Sequence, residues 1–111
     1  MAKARYLNIV GTECVSKDEA KFNKWYNEVH IPMLLKYKGL KKVTRYQLMG
    51  NVKGQSPYLA VYEYDTQEAL NGMSASPEFK AAIDEMTETQ KTLKFGITWA
   101  APYEPIKAWE K

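Results

Sequence analysis

The chain has 111 residues, of which 45% are hydrophobic and 26% charged, and a formal net charge of +3. That length builds one domain, residues 1–111, and is too short for two cores of useful size. The small charge is carried by scattered lysines, without the basic stripe that nucleic-acid binding requires, and no apolar run approaches the length that spans a membrane. Cys14 is the only cysteine, so no disulfide framework or cysteine-rich metal site is expected. A single histidine, with neither CxxC nor HExxH, argues against zinc. Lys3 and Arg5 lead straight into a strand-like segment, so no signal peptide is expected and a reducing cytoplasm is the default location. Tyrosine is abundant, at eight copies. Buried tyrosines need partners for their hydroxyls, so several are expected to line a polar-tipped cavity or an interface.

Residues 5–13, RYLNIVGTE, alternate as a strand does. Leu7, Ile9 and Gly11 point one way, and Tyr6, Asn8, Val10 and Thr12 the other. Ser16-Lys17-Asp18-Glu19 has the spacing of a capping box, with serine and glutamate satisfying reciprocal backbone donors. A helix is expected from about residue 17 into the thirties, closed by Gly39 in a left-handed cap. Residues 42–49 and 57–65 read as two strands joined by a turn-rich segment. Opposed ions and opposed aromatics favour a register with Arg45 against Glu63 and Tyr46 against Tyr62. That register places Arg45 and Glu63 as an ion pair on one face and collects Tyr46, Tyr58, Tyr62 and Tyr64 on the other.

Asp65-Thr66-Gln67-Glu68 starts another helix, which breaks near residues 74–76. Ser76-Pro77 restarts it, with serine as cap and proline at the first helical position. Residues 93–101 form the last strand, with Leu93, Phe95, Ile97 and Trp99 on one side. A tail over residues 103–111 keeps Ile106 and Trp109 and is expected to dock, onto a second subunit if not onto its own. The order β-α-β-β-α-β is that of a ferredoxin-like α+β fold with a four-stranded antiparallel sheet. Both helices then cover one sheet face. The other face, also apolar, is most simply covered by a second copy, giving a homodimer.

The most informative stretch is residues 23–32, NKWYNEVHIP, which holds the only histidine. At about 100° per residue, Phe22, Trp25, Tyr26, Val29 and Met33 share one helix face. His30 lies four residues after Tyr26 and four before Leu34, at the edge of that stripe. Pro32 interferes with the carbonyl of Glu28 and is expected to interrupt the helix beside the imidazole. The ordinary reading of such a lone histidine is a packed residue at a helix edge with one hydrogen bond.

The patterns FNKWYNEVHIP, KGL and YLAVYEYDTQEAL resemble the EthD-like branch of the dimeric α+β barrel superfamily, over nearly the whole chain. The superfamily includes small cofactor-free monooxygenases, lactone isomerases and polyketide cyclases. The resemblance implies a homodimer with a pocket in each subunit between sheet and helices, able to accept a hydrophobic, aromatic, lactone-like or polyketide-like small molecule without a cofactor. His30 and Trp25 match the motif histidine and tryptophan. The further histidines used by lactone isomerases have no counterpart here, which disfavours that chemistry.

His30 is therefore the acid/base candidate, since a free imidazole titrates near neutrality. Tyr46 and Tyr62 are candidate donors to a carbonyl or enolate oxygen. Trp25, Tyr26, Asn27, Tyr58 and Asn8 are candidate substrate-binding residues. Cys14 has too little basic surrounding to be an activated nucleophile, and a haem-ligating role for His30 is the weaker reading. Two classes of function follow. One is a cofactor-independent enzyme that moves a proton next to a carbonyl, as in cyclisation, isomerisation, dehydration or oxygenation. The alternative is a non-catalytic small-ligand-binding or structural homodimer with the same pocket.

Overall fold

The computed structural model describes residues 3–111. Four strands, β1 (Tyr6–Cys14), β2 (Leu40–Gln47), β3 (Tyr58–Tyr64) and β4 (Phe95–Tyr103), form one antiparallel sheet in the order β2-β3-β1-β4. Between β1 and β2 the chain runs through a 3₁₀ turn (Ser16–Asp18), α1 (Glu19–Trp25), a π turn (Tyr26–His30) and α2 (Ile31–Leu34). Between β3 and β4 lie α3 (Gln67–Gly72), a 3₁₀ turn (Met73–Ala75) and α4 (Pro77–Thr89). This is the ferredoxin-like α+β fold.

Tyr58, Ala60, Tyr62 and Tyr64 alternate inward from β3 and are all buried, Tyr64 to 1% exposure. They meet Phe22, Trp25, Tyr26 and Leu34 from the first helical segment and Met73 and Ala82 from the second. Burying one large side chain of this kind contributes roughly 1.5–3 kcal/mol, so this single layer between helices and sheet carries most of the stability. The helix starts at Thr66 and Ser76 are capped as their chemistry dictates. Thr66 Oγ1 accepts from the Ala69 N–H, and Ser76 Oγ from the Phe79 N–H. Thr66, rather than Asp65, is the cap; Asp65 instead accepts from Arg5 and pairs with Lys3.

Several sequence expectations are corrected by tertiary contacts. The Ser16–Glu19 capping box does not form. The Asp18 carboxylate accepts the Lys94 backbone N–H at 2.9 Å, tying the helix start to the β4 approach, and Glu19 accepts from the Tyr58 hydroxyl. Gly39 is not left-handed, because the positive φ values belong to Gly50 and Gly54. Gly39 is instead required by close approach: a Cβ there would stand 2.6 Å from the Tyr37 ring and 2.8 Å from Ala69 Cβ.

The β2–β3 register is offset by three residues from the expected one. Arg45 opposes Ala60, Tyr46 opposes Leu59, and Val43 opposes Tyr62. An irregularity between Leu40 and Lys42 allows Leu40 to enter the core at 5% exposure. Burial of Leu40 and packing of Val43 outweigh the charge pairing that the other register offered, because an exposed ion pair is worth little. An odd offset exchanges faces. Tyr46 is thus 55% exposed on the outer side, Arg45 turns towards the helices, and Glu63 pairs with Arg5 instead. A β-bulge between the β1 partners of Ile97 and Trp99 likewise moves Trp99 out of the Phe95–Ile97 row and opposite Gly11. The segment after β4 has no regular structure, and Ile106 and Trp109 are 99% and 78% exposed in the single chain.

Candidate functional site

A cavity of about 150 Å³ lies between the sheet and the helices. Asn8, Val10 and Thr12 line it from β1, Tyr62 and Tyr64 from β3, and Phe95, Ile97 and Ala100 from β4. Trp25, Tyr26, His30 and Leu34 form its first helical wall; Met73, Phe79, Ile83 and Met86 form the second. Ile97 and Ala100 are exposed, marking the side on which the cavity opens. An apolar cavity of about 150 Å³ holds one six-membered ring. The walls here are mostly hydrocarbon, with a few polar tips at Asn8, Thr12, His30 and the two tyrosines.

His30 is held at this wall by the π turn. The Ile31 N–H reaches back to the Tyr26 carbonyl, five residues away, and Pro32 follows at once. The wider turn relieves the clash a proline imposes on the preceding turn. The imidazole is 6% exposed. It stacks on Trp25, with centroids 4.9 Å apart and planes at 28°, and meets the edge of Tyr26 at 5.1 Å. Trp25 is in turn fixed by its indole N–H, which donates to Glu85 at 2.8 Å. His30 Nδ1 is buried and has no hydrogen-bond partner among the described residues. Burial pulls the His30 pKa down to about 4, against a smaller upward pull from Glu85. The ring is therefore neutral at pH 7, with a free nitrogen lone pair or N–H beside an apolar cavity.

Tyr26 and Tyr62 share a hydrogen bond of 2.7 Å between their hydroxyls, and both line the cavity. Burial pushes both hydroxyls above the ordinary tyrosine value, Tyr62 the more strongly. The Arg45 guanidinium lies 4.3 Å from the Tyr26 ring centroid and works in the opposite direction on both.

The structure thus brings His30, Tyr62, Trp25, Tyr26 and Asn8 to one cavity. It does not bring Tyr46, which the register turns to the other sheet face. Asn27 lies outside the lining, exposed, and accepts from Arg45 Nη1 at 3.0 Å. Tyr58 is buried but lies outside the lining, donating to Glu19 and accepting from Asn23. Sequence reasoning missed Arg45, Glu85 and Tyr64 around the site. Glu85 carried no signal, since its tie to Trp25 spans sixty residues. Among the described residues, no group of three or more His, Cys, Asp or Glu side chains stands close enough to hold a metal ion. No described helix is long and apolar enough to cross a membrane.

A family model for a domain of unknown function, DUF4286, matches residues 6–101. The chain belongs to that family. No curated protein matches it in sequence. Among solved structures it is similar to an ethyl tert-butyl ether d (EthD) family protein from Bacillus halodurans, with 20% identity over 91% of this chain and 99% of that one and a TM-score of 0.67. It is similar to a dimeric ferredoxin-like protein from an uncultured marine organism, with 17% identity, 97% and 100% coverage and a TM-score of 0.68. It is also similar to SnoaB, a cofactor-independent oxygenase from Streptomyces nogalater, with 16% identity, 97% and 100% coverage and a TM-score of 0.62. The fold of this DUF4286 chain is therefore the one that the EthD-like resemblance implied.

Proposed function

We propose that this DUF4286 chain is a cofactor-independent acid/base enzyme that moves a proton next to a carbonyl in a small hydrophobic ring substrate. The observation that carries the reading is the buried, unpartnered Nδ1 of His30, a residue lining the same cavity as the Tyr26–Tyr62 hydroxyl pair. A buried polar atom left without a partner costs about 1–3 kcal/mol. Such a cost is tolerated where a ligand supplies the missing partner. In the proposed reaction His30 accepts a proton from the carbon beside the carbonyl, and Tyr62 donates to the oxygen on which negative charge develops. An imidazole with a pKa of about 4 is a weak base. The transfer therefore depends on oxyanion stabilisation by the tyrosine pair. Trp25 fixes the plane of the imidazole, and Asn8 and the hydrocarbon walls hold the ring substrate.

The low basicity of His30 also favours the second reading, a ligand-binding protein without turnover. The two part on one experiment. Hydrogen–deuterium exchange at the carbons beside the carbonyl of cyclohexanone, a single-ring ketone, is followed by NMR in deuterated buffer with and without the protein. Catalysed exchange that falls by about 10²–10⁴ in His30→Ala, with the fold retained, supports the enzyme. Saturable binding of the ketone with no catalysed exchange supports the binder.

We further propose that two chains pair through the open sheet face. The helices cover only one side, and the other presents Val61 and Leu59 half-buried with Trp99 and Tyr46 at 39% and 55% exposure. The dimeric nature of one structural neighbour and the exposed Ile106 and Trp109 support this pairing, with the tail laid on the partner.

A further inference from the structure

Arg45 is the residue whose position the sequence misjudged most, and its surroundings are unusual for a cation. Its guanidinium lies 4.3 Å from the Tyr26 ring centroid, 5.5 Å from that of Tyr58 and 5.6 Å from that of Phe22. Among the described residues no carboxylate pairs with it. Glu19 is engaged by Tyr58 instead. Nη1 donates to Asn27, while Nε and Nη2 are buried and unpartnered. An uncompensated positive charge is thus held against aromatic faces directly behind the cavity wall.

We propose that Arg45 is a positioning residue that makes the cavity prefer a ring carrying an ionised hydroxyl, a phenolate or enolate, over the corresponding neutral ring. This rests on the reading of the cavity as a ligand site. Arg45 is not part of the lining and acts through Tyr26. A cation over the Tyr26 ring withdraws electron density and makes its hydroxyl the better donor of the pair. Tyr26 then donates to Tyr62, and the proton of Tyr62 is left to point at a ligand. Hydrogen bonds in such a chain polarise one another, so the terminal donor is strengthened towards an anion. The other titratable groups around the pair are His30 on the π turn, Tyr58 and Tyr64 on β3, and Glu85 of α4 beyond Trp25. His30 is neutral at neutral pH and Glu85 is turned to the indole, so Arg45 is the formal charge that acts on the pair.

The test uses two rings of similar size, 4-nitrophenolate and nitrobenzene, at one mildly alkaline pH where the phenol is ionised. Binding is followed by tryptophan fluorescence, and for the phenolate also by the shift of its visible absorption band. The purified wild-type chain is expected to bind the phenolate at least about tenfold more tightly, a difference of about 1.4 kcal/mol. Arg45→Met is expected to abolish that preference and the band shift while leaving nitrobenzene binding within about twofold. Arg45→Lys restores part of the preference, because charge is kept and planarity lost. Tyr62→Phe, which keeps the Arg45 cage and removes the terminal donor, serves where Arg45→Met does not fold, and also loses the preference. Equal binding of the two rings by the wild type overturns the inference, as does a preference that survives in Arg45→Met or Tyr62→Phe. Failure of both rings to bind overturns the ligand-site reading itself and this inference with it.

Discussion

His30 should make the stability of this protein fall as the solution is acidified through a window set by one residue. In the unfolded chain the imidazole titrates at its ordinary value of 6.5, and in the folded chain at about 4. The folded state therefore holds fewer protons than the unfolded state between these values. The neutral ring's contribution is fully present above pH 6.5, declines as the pH falls, and is lost by the time the folded ring itself protonates. At 1.36 kcal/mol per pH unit, the difference amounts to roughly 3 kcal/mol. His30 is 6% exposed, so solvent screening does not erase the effect. Urea unfolding of the wild type and of His30→Gln, which does not titrate, should be compared at pH 7, 5.5 and 4.5. The carboxylates titrate in both proteins, so the difference between them isolates the imidazole. The wild type should lose roughly 2.4 kcal/mol relative to the variant across that range. Because the chain has a single histidine, its ring proton resonances are unambiguous, and an NMR titration reads the folded pKa directly. Parallel stability curves, or a folded ring that titrates at or above 6.5, would show that the imidazole is solvated and would remove the basis of the site geometry.

Phe22→Ala should destabilise the chain by about 3–5 kcal/mol in urea unfolding, because the ring is fully buried against Trp25, Tyr26, Tyr58 and Phe95. Val61→Lys, on the open sheet face, should give a monomer by light scattering at micromolar concentration with the unfolding midpoint of the subunit core little changed; a dimer that persists would move the interface elsewhere.

Legibility in the sequence followed the range of the interactions. Strand alternation and the Ser76-Pro77 start are local signals, and they led to the element order and so to the sheet. Trp25 was legible because helical spacing places it on one face with Tyr26, and His30 because it lies four residues after Tyr26, at the edge of that stripe. The Ser16–Glu19 box was misleading because its acids had better partners far away, the Lys94 amide and the Tyr58 hydroxyl. Arg45 and Tyr46 were misplaced for a related reason. Pairing energies between two strands say nothing of Leu40, whose need for the core sets the register and turns both residues over. Trp99 changed face because a single bulge breaks the period of two.

The π turn carries one further consequence, which concerns chain length more than residue type. Trp25 and His30 are five positions apart, and in an uninterrupted α-helix five steps leave two side chains about 140° out of phase. Their stacking exists because the turn between them holds one residue too many. Deleting one residue between them would restore an ordinary ladder in which the two stand four positions apart, only about 40° out of phase. Phe22 and Trp25 would still face the sheet together with His30 and Leu34. The helix as a helix would be improved, and what would go is the wide turn beside Pro32. The surplus residue behaves as an insertion that the wide turn absorbs, leaving both sides of the helix aimed at the sheet.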